Sequence, residues 1–366
     1  MNKIRIGILF GGRSGEHEVS LMSSKSVLSV LDPQKYEITE IGITHAGEWW
    51  SGENTRQKFQ QNSFDGLYRV LLLPEPGKSV LYKHLEEKLE ALTELDVIFP
   101  ILHGTFGEDG TLQGFFEMAD IAYVGAGVLG SSVGMDKALF KDVMRSNDIP
   151  VADWIVISRK EAEKNIDALI RTAEELGPYP FFIKPANLGS SVGISKCKNR
   201  SDLLEGIMQA CRFDRRILIE RGVENAREIE VSVLGNESPR VSLPGEIKPS
   251  DEFYSYNAKY IDDRSELIIP APLSKEIITE IQEMAIRAYQ AIDCAGMARV
   301  DFLLNRNTNQ IYLNEVNTIP GFTKISMYPK LWEASGMSYR ELINELVNLA
   351  FERKAERNRS ERKYSA

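Results

Sequence analysis

The first 127 residues alternate short apolar runs with glycine-rich turns and helix-like stretches, and this alternation narrows the possible folds more than any other feature. Residues 3–10 (KIRIGILF) lead into GGRSGEHEVS, and a helical stretch continues to about Leu31. Further apolar runs occupy about 37–43, 96–102 and 121–127. Strands alternating with helical patterns predict a parallel α/β sheet, which binds ligands at turns after its strands. GGRSGE lacks the GxGxxG spacing of a dinucleotide site.

Composition limits the classes of protein and partner. The 366 residues allow two or three domains of about 150 residues each. A net charge of -9 argues against nucleic acid or an anionic membrane as the main partner. Cys197, Cys211 and Cys294 lack CxxC spacing, so we expect reduced thiols in a cytoplasmic protein, without disulfides or zinc. No apolar run reaches the ~18–20 residues of a membrane span, and we expect no signal peptide in MNKIRIGILFGG.

The pattern changes at about 135–150, where a helix ends before Pro150 and a strand begins near Trp154. A charged helix is predicted over 159–176, and Ser274 is a plausible N-cap for a later helix. The run from Ser338 to Glu341 has the spacing of a capping box for the last helix. Residues 353–366 are strongly basic, and we expect a frayed helix end there.

Near the C-terminal end, ARVDFLLNRNTNQIYLNEVNTIPG (residues 298–321) has the pattern of a β-hairpin with polar residues at core positions. Alternate strand residues share a face, so Arg299, Asp301 and Leu303 lie together. If Asp301 lies opposite Glu315, then Arg299 lies opposite Asn317. By the same alternation, one face of the second strand carries Ile311, Leu313, Glu315 and Asn317.

This polar face favours a metal site. Facing carboxylates repel unless a positive charge lies between them. The carboxylates of Asp301 and Glu315 and the carboxamide of Asn317 are hard oxygen ligands suited to Mg²⁺, which also takes oxygens from a substrate phosphate. The alternative is a solvated face with ordinary surface charges, but the apolar neighbours Leu303 and Leu313 argue against full exposure.

Two further stretches carry possible nucleotide contacts. In IKPANLGSSVGIS, Lys184 ends an apolar strand, and the small-residue loop after it could present backbone N–H groups to phosphate. Taken alone, a flexible turn with an exposed lysine is the simpler interpretation, and no GxxxxGK[ST] motif occurs. Glu220, followed by Arg-Gly-Val, is typical of an interdomain hinge whose backbone could bind a base edge. A turn with surface acids is the alternative there.

One set of residues resembles the site residues of the ATP-grasp superfamily. The set is Lys137, Lys184 with its GSS loop, Glu220, Glu228, Arg299, Asp301, Glu315 and Asn317. More narrowly, five stretches are similar to motifs of D-alanine–D-alanine ligases: GGRSGEHEVS, HGTFGEDGTLQG, IKPANLGSSVGI, YNAKY and RVDF…NEVNTIPGFT. The resemblance covers about residues 3–350.

The resemblance implies a mixed α/β and α+β fold, with an N-terminal parallel, Rossmann-like domain before a two-subdomain ATP-grasp fold. It divides the chain into 1–134 (first D-alanine site and dimerisation), 135–223 (central subdomain) and 224–366 (C-terminal subdomain). The last part would carry the metal site, a lid loop at about 248–265 and a basic tail from about 353. A homodimer formed through the N-terminal domain is implied too, with no nucleic acid or membrane partner.

The resemblance also implies the ligands of the site. ATP would contact Lys137, Lys184 and Lys259 through its phosphates, Glu220 through the adenine amine and Glu228 through the ribose. The same nucleotide site would include Gly222, Val223 and Asn314. Two Mg²⁺ ions, for which Mn²⁺ could substitute, would be held by Asp301, Glu315 and Asn317.

For the reaction, the resemblance implies that two D-alanines are joined through a D-alanyl phosphate, with ADP and phosphate released for a peptidoglycan precursor. Glu16, with His103 nearby, would bind the first D-alanine, and Arg299 and the Gly321 N–H would hold the oxyanion. The second D-alanine would lie near Ser326 and Met327. Tyr260 of the lid would connect through Ser190 to Glu16.

Three alternatives stay open at this point. A D-alanine–D-lactate ligase would share most of these motifs, although keeping YNAKY favours an amine acceptor. A related ligase or carboxylase for another substrate would be expected to lack Glu16 or this lid. A non-catalytic nucleotide-binding protein with the same fold would be expected to lose Arg299, Ser326 or Lys259, and all three are present.

Overall fold

The computed structural model describes residues 3–189, 192–248 and 266–361. Within these ranges the strands form three sheets. The first sheet has the strand order β6-β5-β4-β3-β2-β1-β7-β8. Its strands are β1 (Ile4–Gly11), β2 (Tyr36–Ile43), β3 (Trp49–Ser51), β4 (Tyr68–Leu72), β5 (Val80–Leu85), β6 (Lys88–Glu94), β7 (Val97–Pro100) and β8 (Ala122–Tyr123).

The predicted parallel sheet is confirmed for four strands, because β1 pairs in parallel with β2 and β7, and β7 pairs in parallel with β8. The antiparallel extension β3–β6 was not predicted from the sequence. Its outermost strand, β6, is exposed at every residue except Thr93, which is half-buried. A strand with no buried face carries no hydrophobic alternation, so no sequence pattern indicated β6.

The second sheet has the order β11-β10-β12-β9 and is antiparallel throughout. The third has the order β16-β15-β13-β17-β18, with β14 paired to β13. The remaining strands are β9 (Trp154–Ser158), β10 (Phe181–Pro185), β11 (Ser195–Cys197), β12 (Arg216–Arg221), β13 (Ala226–Gly235), β14 (Arg240–Val241), β15 (Gly245–Lys248), β16 (Glu266–Ile268), β17 (Gly296–Asn305) and β18 (Ile311–Asn317). Residues 222–225 therefore connect two different sheets.

The helices pack on these sheets, and the two helix starts predicted from capping serines are confirmed. They are α1 (His17–Leu28), α2 (Thr55–Gln60), α3 (Thr111–Met118), α4 (Val128–Met135), α5 (Lys137–Ser146), α6 (Arg159–Glu174), α7 (Arg200–Ala210), α8 (Lys275–Ala291), α9 (Met327–Ala334) and α10 (Tyr339–Arg357). Ser274 accepts from the Ile277 amide, and Ser338 and Glu341 form a reciprocal capping box. Each such cap satisfies amide groups that the first helical turn leaves without partners.

The C-terminal helix is part of the core of the first sheet. Leu346 of α10 is fully buried in one cluster with Ile6 of β1 and Phe99 of β7. The predicted frayed end from residue 353 is wrong for the last turn of α10. Arg353 stacks over the Tyr123 ring at 4.0 Å, and Arg357 forms ion pairs with Glu117 and Asp120.

In the described part of the chain, none of the helices combines the length and the apolar character needed to cross a bilayer.

Candidate active site

The C-terminal hairpin has the register that was supposed from its sequence, and the second pair that follows from the first by alternation is confirmed. Asp301 pairs with Glu315, and Arg299 pairs with Asn317. Val300, Phe302 and Leu304 lie on the opposite face of β17, in the core packed against α8. The polar face of β17 therefore faces the cavity beside the sheet, as expected for a strand with one buried face.

The predicted face of the second strand is wrong in one respect, because a β-bulge interrupts the register between Asp301 and Phe302. Asp301 pairs with Glu315 but Phe302 pairs with Leu313, so Asn314 is the extra residue. Ile311 and Leu313 consequently share the buried core with Val316, and not a face with Glu315 and Asn317. The bulge brings both Asn314 and Glu315 to the cavity.

Arg299 lies between two carboxylates. Its Nε and Nη2 donate side-on to the two oxygens of Asp301, each at 2.7 Å. Nε also lies 2.9 Å from Oε2 of Glu230, a buried residue of β13 to which the sequence interpretation gave no role. Burial opposes the charge, but Asp301 and Glu230 outweigh it and raise the pKa of Arg299 further. The guanidinium is thus a permanent, fixed cation in the site.

The residues proposed for Mg²⁺ fit that ion in their donor chemistry. Asp301 and Glu315 face each other across the hairpin, and the Asn317 amide donates to Asp301 Oδ2 at 3.0 Å. Among the described residues, no group of three or more His, Cys, Asp or Glu side chains is arranged to hold a metal. Two carboxylates are sufficient here, because Mg²⁺ commonly binds one or two protein carboxylates and completes its shell with water and substrate phosphate.

Glu220 is held by two lysines at the end of β12. Its Oε1 lies 2.5 Å from Nζ of Lys141, and its Oε2 lies 2.5 Å from Nζ of Lys184. Lys184 also donates to Oδ1 of Asn314 at 3.3 Å, which connects the second sheet with the hairpin. Burial raises the pKa of Glu220, but the two ammonium groups outweigh it and lower the pKa below its usual value. Glu220 is therefore ionised.

Further groups near Glu220 belong to the same part of the site. Lys137, at the start of α5, donates from Nζ to the Leu188 carbonyl at 2.7 Å, just before the glycine-rich loop. The Gly222 amide donates to the Pro180 carbonyl at 2.8 Å, so a base contact from Gly222 would use its carbonyl oxygen. Val223 and Glu228 line the same cavity.

Glu16 is buried, and two glycines of other chain segments lie against its carboxylate. A Cβ at Gly104, whose φ is +75°, would collide with Glu16 Oε2, and one at Gly189 would lie 3.0 Å from that oxygen. The second carboxyl of this corner is Glu108, which accepts from the Gly104 amide at 2.8 Å. Burial, assisted by the charge of Glu16, raises the pKa of Glu108 to about 8.

His103 connects α1 to the turn at Gly321. Its Nδ1 lies 3.1 Å from the Ile319 carbonyl, which can only accept, so Nδ1 carries the proton. Its Nε2 then accepts from the Ser23 hydroxyl at 3.2 Å, and that hydroxyl also accepts from the Phe322 amide at 3.3 Å. Burial lowers the pKa of His103 to about 4, so the ring is neutral near pH 7.

Of the residues expected at the second amino-acid site, neither Ser326 nor Met327 lines the cavity. The Ser326 hydroxyl bonds the amide and hydroxyl of Thr323 at 3.0 and 2.8 Å. A Cβ at Gly321 would lie 2.7 Å from it, so Ser326 adjoins that turn. Met327 does not line the cavity; its side chain is buried with Ile247 and Leu331.

One cavity of about 790 Å³ collects most of the residues selected from the sequence. Its lining comes from strands of the second and third sheets, from connections of the first sheet and from α4 and α5, as is usual for ligand sites at domain boundaries. The selected residues that line it are Glu16, His103, Lys137, Lys184, Glu220, Gly222, Val223, Glu228, Arg299, Asp301, Asn314, Glu315, Asn317 and Gly321. Ser190, Lys259 and Tyr260 lie outside the described residues.

Four polar residues of this site were not selected from the sequence: Ser23, Glu108, Lys141 and Glu230. Lys141 could have been noticed, because it follows Lys137 by one helical turn and falls among the apolar residues of α5. Glu108 stands in the HGTFGEDG stretch, but nothing in the spacing distinguishes it from Asp109.

Comparisons with known proteins identify the family of the chain. A family model described as "D-ala D-ala ligase C-terminus" matches residues 143–348, and one described as "D-ala D-ala ligase N-terminus" matches residues 5–126. The chain belongs to the D-ala D-ala ligase family, whose members have the ATP-grasp fold.

The similar proteins are named in more detail. A D-alanine–D-alanine ligase of Natranaerobius thermophilus is 49% identical over 366 residues and is covered completely, as is this chain. One from a Thermoanaerobacter species is 52% identical over 358 residues, covering 96% of this chain and 98% of the relative.

Two solved structures extend the comparison. The D-alanine–D-alanine ligase of Coxiella burnetii has a TM-score of 0.83 at 36% identity, with 98% of this chain and 97% of the other covered. The VanG D-Ala:D-Ser ligase of Enterococcus faecalis has a TM-score of 0.84 at 34% identity, with 95% and 100% covered.

Proposed function

We propose that this cavity joins two molecules of D-alanine into D-alanyl-D-alanine at the expense of ATP. The protein is an ATP-dependent ligase of cell-wall synthesis, as its family membership and its D-alanine–D-alanine ligase relatives indicate. The observation that carries the assignment is the cavity in which an anchored cation and facing carboxylates of the third sheet meet Lys184 of the second sheet and Lys137 of α5. Such a charge distribution suits phosphoryl transfer followed by acyl transfer.

The nucleotide half of the cavity would hold ATP between the second and third sheets. Lys137 and Lys184 would contact its phosphates, Glu220 and the Gly222–Val223 backbone its base, and Glu228 its ribose. Asn314 belongs to this half through its hydrogen bond with Lys184. Asp301, Glu315 and Asn317 would hold two Mg²⁺ ions, or Mn²⁺ in their place, which neutralise phosphate charge during transfer.

In the first step, the carboxylate of one D-alanine attacks the γ-phosphorus of ATP, and the bond to the β-phosphate oxygen breaks. The products are D-alanyl phosphate and ADP. Glu16, buried beside Gly104 and Gly189, would bind the ammonium of this D-alanine. Neutral His103 would keep the neighbouring turn in place through Ser23 and Ile319. Positioning of this kind supplies much of the rate of phosphoryl transfer.

In the second step, the amine of the other D-alanine attacks the acyl carbon, and phosphate leaves. The oxyanion of the tetrahedral intermediate would accept hydrogen bonds from Arg299 and the Gly321 amide. Because Arg299 is bound side-on to Asp301 and also contacts Glu230, its orientation is set before substrate arrives. Ser326, beside Gly321, would bind the carboxylate of the second D-alanine.

The lid assignments rest on the resemblance of YNAKY to the family motif. Lys259 would reach the γ-phosphate, and Tyr260 would connect through Ser190 to Glu16. Closure of the lid would exclude water and protect the acyl phosphate from hydrolysis.

The organisation of the protein follows the same proposal. The chain would divide into 1–134, 135–223 and 224–366, since each sheet falls within one of these ranges. The core that α10 shares with the first sheet would keep the first and last parts together. The protein would act in the cytoplasm as a homodimer formed through its N-terminal part.

Product analysis by mass spectrometry tests the function. The protein receives Mg-ATP and D-alanine, with D-lactate or D-serine added in competition and L-alanine alone as the control. D-serine is included because a D-Ala:D-Ser ligase has the same fold. D-alanyl-D-alanine with ADP and phosphate is the expected product. A dominant depsipeptide or D-alanyl-D-serine would reassign the acceptor, and no product with ATP bound would refute the ligase assignment.

A further inference from the structure

Lys141 is a buried cation that the proposed mechanism does not use. It lies on the inner face of α5, and its side chain is 2% exposed. Its Nζ contacts Glu220 Oε1 at 2.5 Å and donates to the Ala152 carbonyl at 3.2 Å. The same ammonium lies 5.3 Å from the centroid of the Trp154 ring, a favourable cation–π distance.

Beyond Glu220, the surroundings of Lys141 combine an apolar cluster with the charges of two other cations, Lys184 and Arg145. Trp154, which pairs with Glu220 across β9 and β12, belongs to a small buried cluster with Ala138, Ala186 and Leu218. An aliphatic residue would avoid the desolvation penalty of an ammonium group, but it would leave Oε1 of the buried Glu220 without its ion-pair partner. Burial indeed lowers the pKa of Lys141 even though Glu220 opposes the shift. A lysine is therefore needed at this position only because of Glu220, and its role follows from the role of that carboxylate.

The two lysines around Glu220 differ in their access to the cavity. Lys184 lines the cavity and also bonds Asn314 of the hairpin. Lys141 does not line the cavity and binds Glu220 from behind, through the other carboxylate oxygen. A nucleotide that drew Lys184 toward its phosphates would leave Lys141 as the fixed partner of Glu220.

We propose that Lys141 is a positioning residue that sets the base specificity of the nucleotide site by fixing the Glu220 carboxylate for a 6-aminopurine. The inference rests on the proposed contact between Glu220 and the adenine amine. A carboxylate is an acceptor only, with about four lone-pair sites, so it can bind both lysines and still accept from an amine. A 6-oxo group would bring an acceptor against this acceptor, so the site would reject hypoxanthine.

The pKa of Glu220 supports this arrangement. Burial alone would favour the protonated acid, which could donate to a 6-oxo group, but Lys141 and Lys184 lower the pKa and keep the carboxylate ionised. Loss of Lys141 removes one of these two charges and frees one carboxylate oxygen to rotate. Discrimination between 6-amino and 6-oxo purines would then weaken.

Binding of ATP and of inosine triphosphate to the full-length protein, measured by calorimetry, tests the proposal. The variants are Lys141→Met and Arg145→Met. Arg145 is the matched control, because it packs over the same Trp154 ring at 3.8 Å on an exposed part of α5 and forms no ion pair with Glu220. Circular dichroism establishes that each variant is folded.

We expect Lys141→Met to reduce the preference for ATP over inosine triphosphate roughly 10- to 100-fold, the effect of a hydrogen bond to a charged group. Arg145→Met should keep the wild-type ratio. Should Lys141→Met not fold, the pair Glu220→Gln and Glu220→Gln/Lys141→Met replaces it. The two should then show the same ratio, because Lys141 acts through Glu220.

Three results would overturn the proposal. In the first, Lys141→Met binds ATP and inosine triphosphate with wild-type affinities. In the second, it loses affinity for both nucleotides by the same factor. In the third, adding Lys141→Met to Glu220→Gln changes the ratio of the two affinities further. A wild-type protein that binds both nucleotides equally would refute the Glu220–adenine contact on which the inference rests. Failure of the ligase assignment is separate, since it shows only as the absence of D-alanyl-D-alanine in the product assay.

Discussion

Acidification should destabilise the protein by protonating His103. A His103 variant separates this effect from those of the other titrating groups. The ring is buried and neutral, with its pKa lowered from 6.5 to about 4 mainly by desolvation. In the unfolded chain the same ring regains its ordinary pKa. Between these two values the unfolded state binds one proton more than the folded state, so falling pH favours unfolding. The contribution is complete above pH 6.5 and is lost as the pH falls toward 4.

The magnitude follows from the two pKa values. Protonation linkage between pH 7 and pH 4.5 gives a loss of about 2.5 kcal/mol from this one ring, and about half of it has occurred by pH 5.5. This loss is comparable to the effect of a typical destabilising core substitution. The loss is large because burial removes the water that would stabilise a charged ring. The Ser23 hydroxyl and the Ile319 carbonyl replace that water only partly.

Urea unfolding of the wild type and of His103→Gln at pH 7 and 4.5 provides the measurement. Glutamine keeps a donor and an acceptor but does not titrate, so every other group cancels in the difference. The wild type should lose about 2.5 kcal/mol more than the variant on acidification. His84→Gln is the control, because His84 is an exposed residue of β5, and it should follow the wild type. Equal losses in the wild type and His103→Gln would refute the reasoning.

The remaining predictions concern the site and the last helix. Arg299→Ala should leave ATP affinity within about threefold but reduce kcat by about 100-fold, the effect of losing one oxyanion donor. Glu230→Gln should reduce kcat by about tenfold in the same assay, because Arg299 loses an anchor at 2.9 Å. Gly104→Ala should raise KM for D-alanine and lower the unfolding free energy by about 1–2 kcal/mol, because a left-handed backbone and Glu16 both oppose a Cβ. Arg357→Ala should lower it by about 1 kcal/mol in urea unfolding. Unchanged kcat would remove Arg299 or Glu230 from the mechanism, and unchanged stability would make the Gly104 or Arg357 contacts unimportant.

Local patterns predicted those features of this protein that depend on neighbouring residues. Once Asp301 is taken to face Glu315, alternation along 298–317 predicts that Arg299 faces Asn317, because side-chain direction in a strand has a period of two. The capping serines 274 and 338 were also recognisable, since a cap involves residues only three positions apart. Family resemblance added the roles of residues that no pattern within one chain can assign.

The bulge at Asn314 shows where local pattern failed. Strict alternation put Ile311 and Leu313 with Glu315, but one extra residue reverses the faces that precede it. The sequence NEVN contains nothing that marks the position of the bulge. Packing of Leu313 and Val316 into one core, while Asn314 and Glu315 both reach the cavity, decides it.

Only the tertiary structure brought together the groups that tune the site. Lys141 and Glu220 are 79 positions apart in the chain, yet their atoms lie 2.5 Å apart. The link from His103 to Ile319 spans 216 positions, and the ion pairs of Arg357 join the last helix to α3. Each depends on how sheets and helices pack, and sequence spacing holds no information about such distances. Local sequence patterns thus define the elements and the kinds of reactive group. Packing defines which charges meet in a medium of low polarity, and hence their protonation.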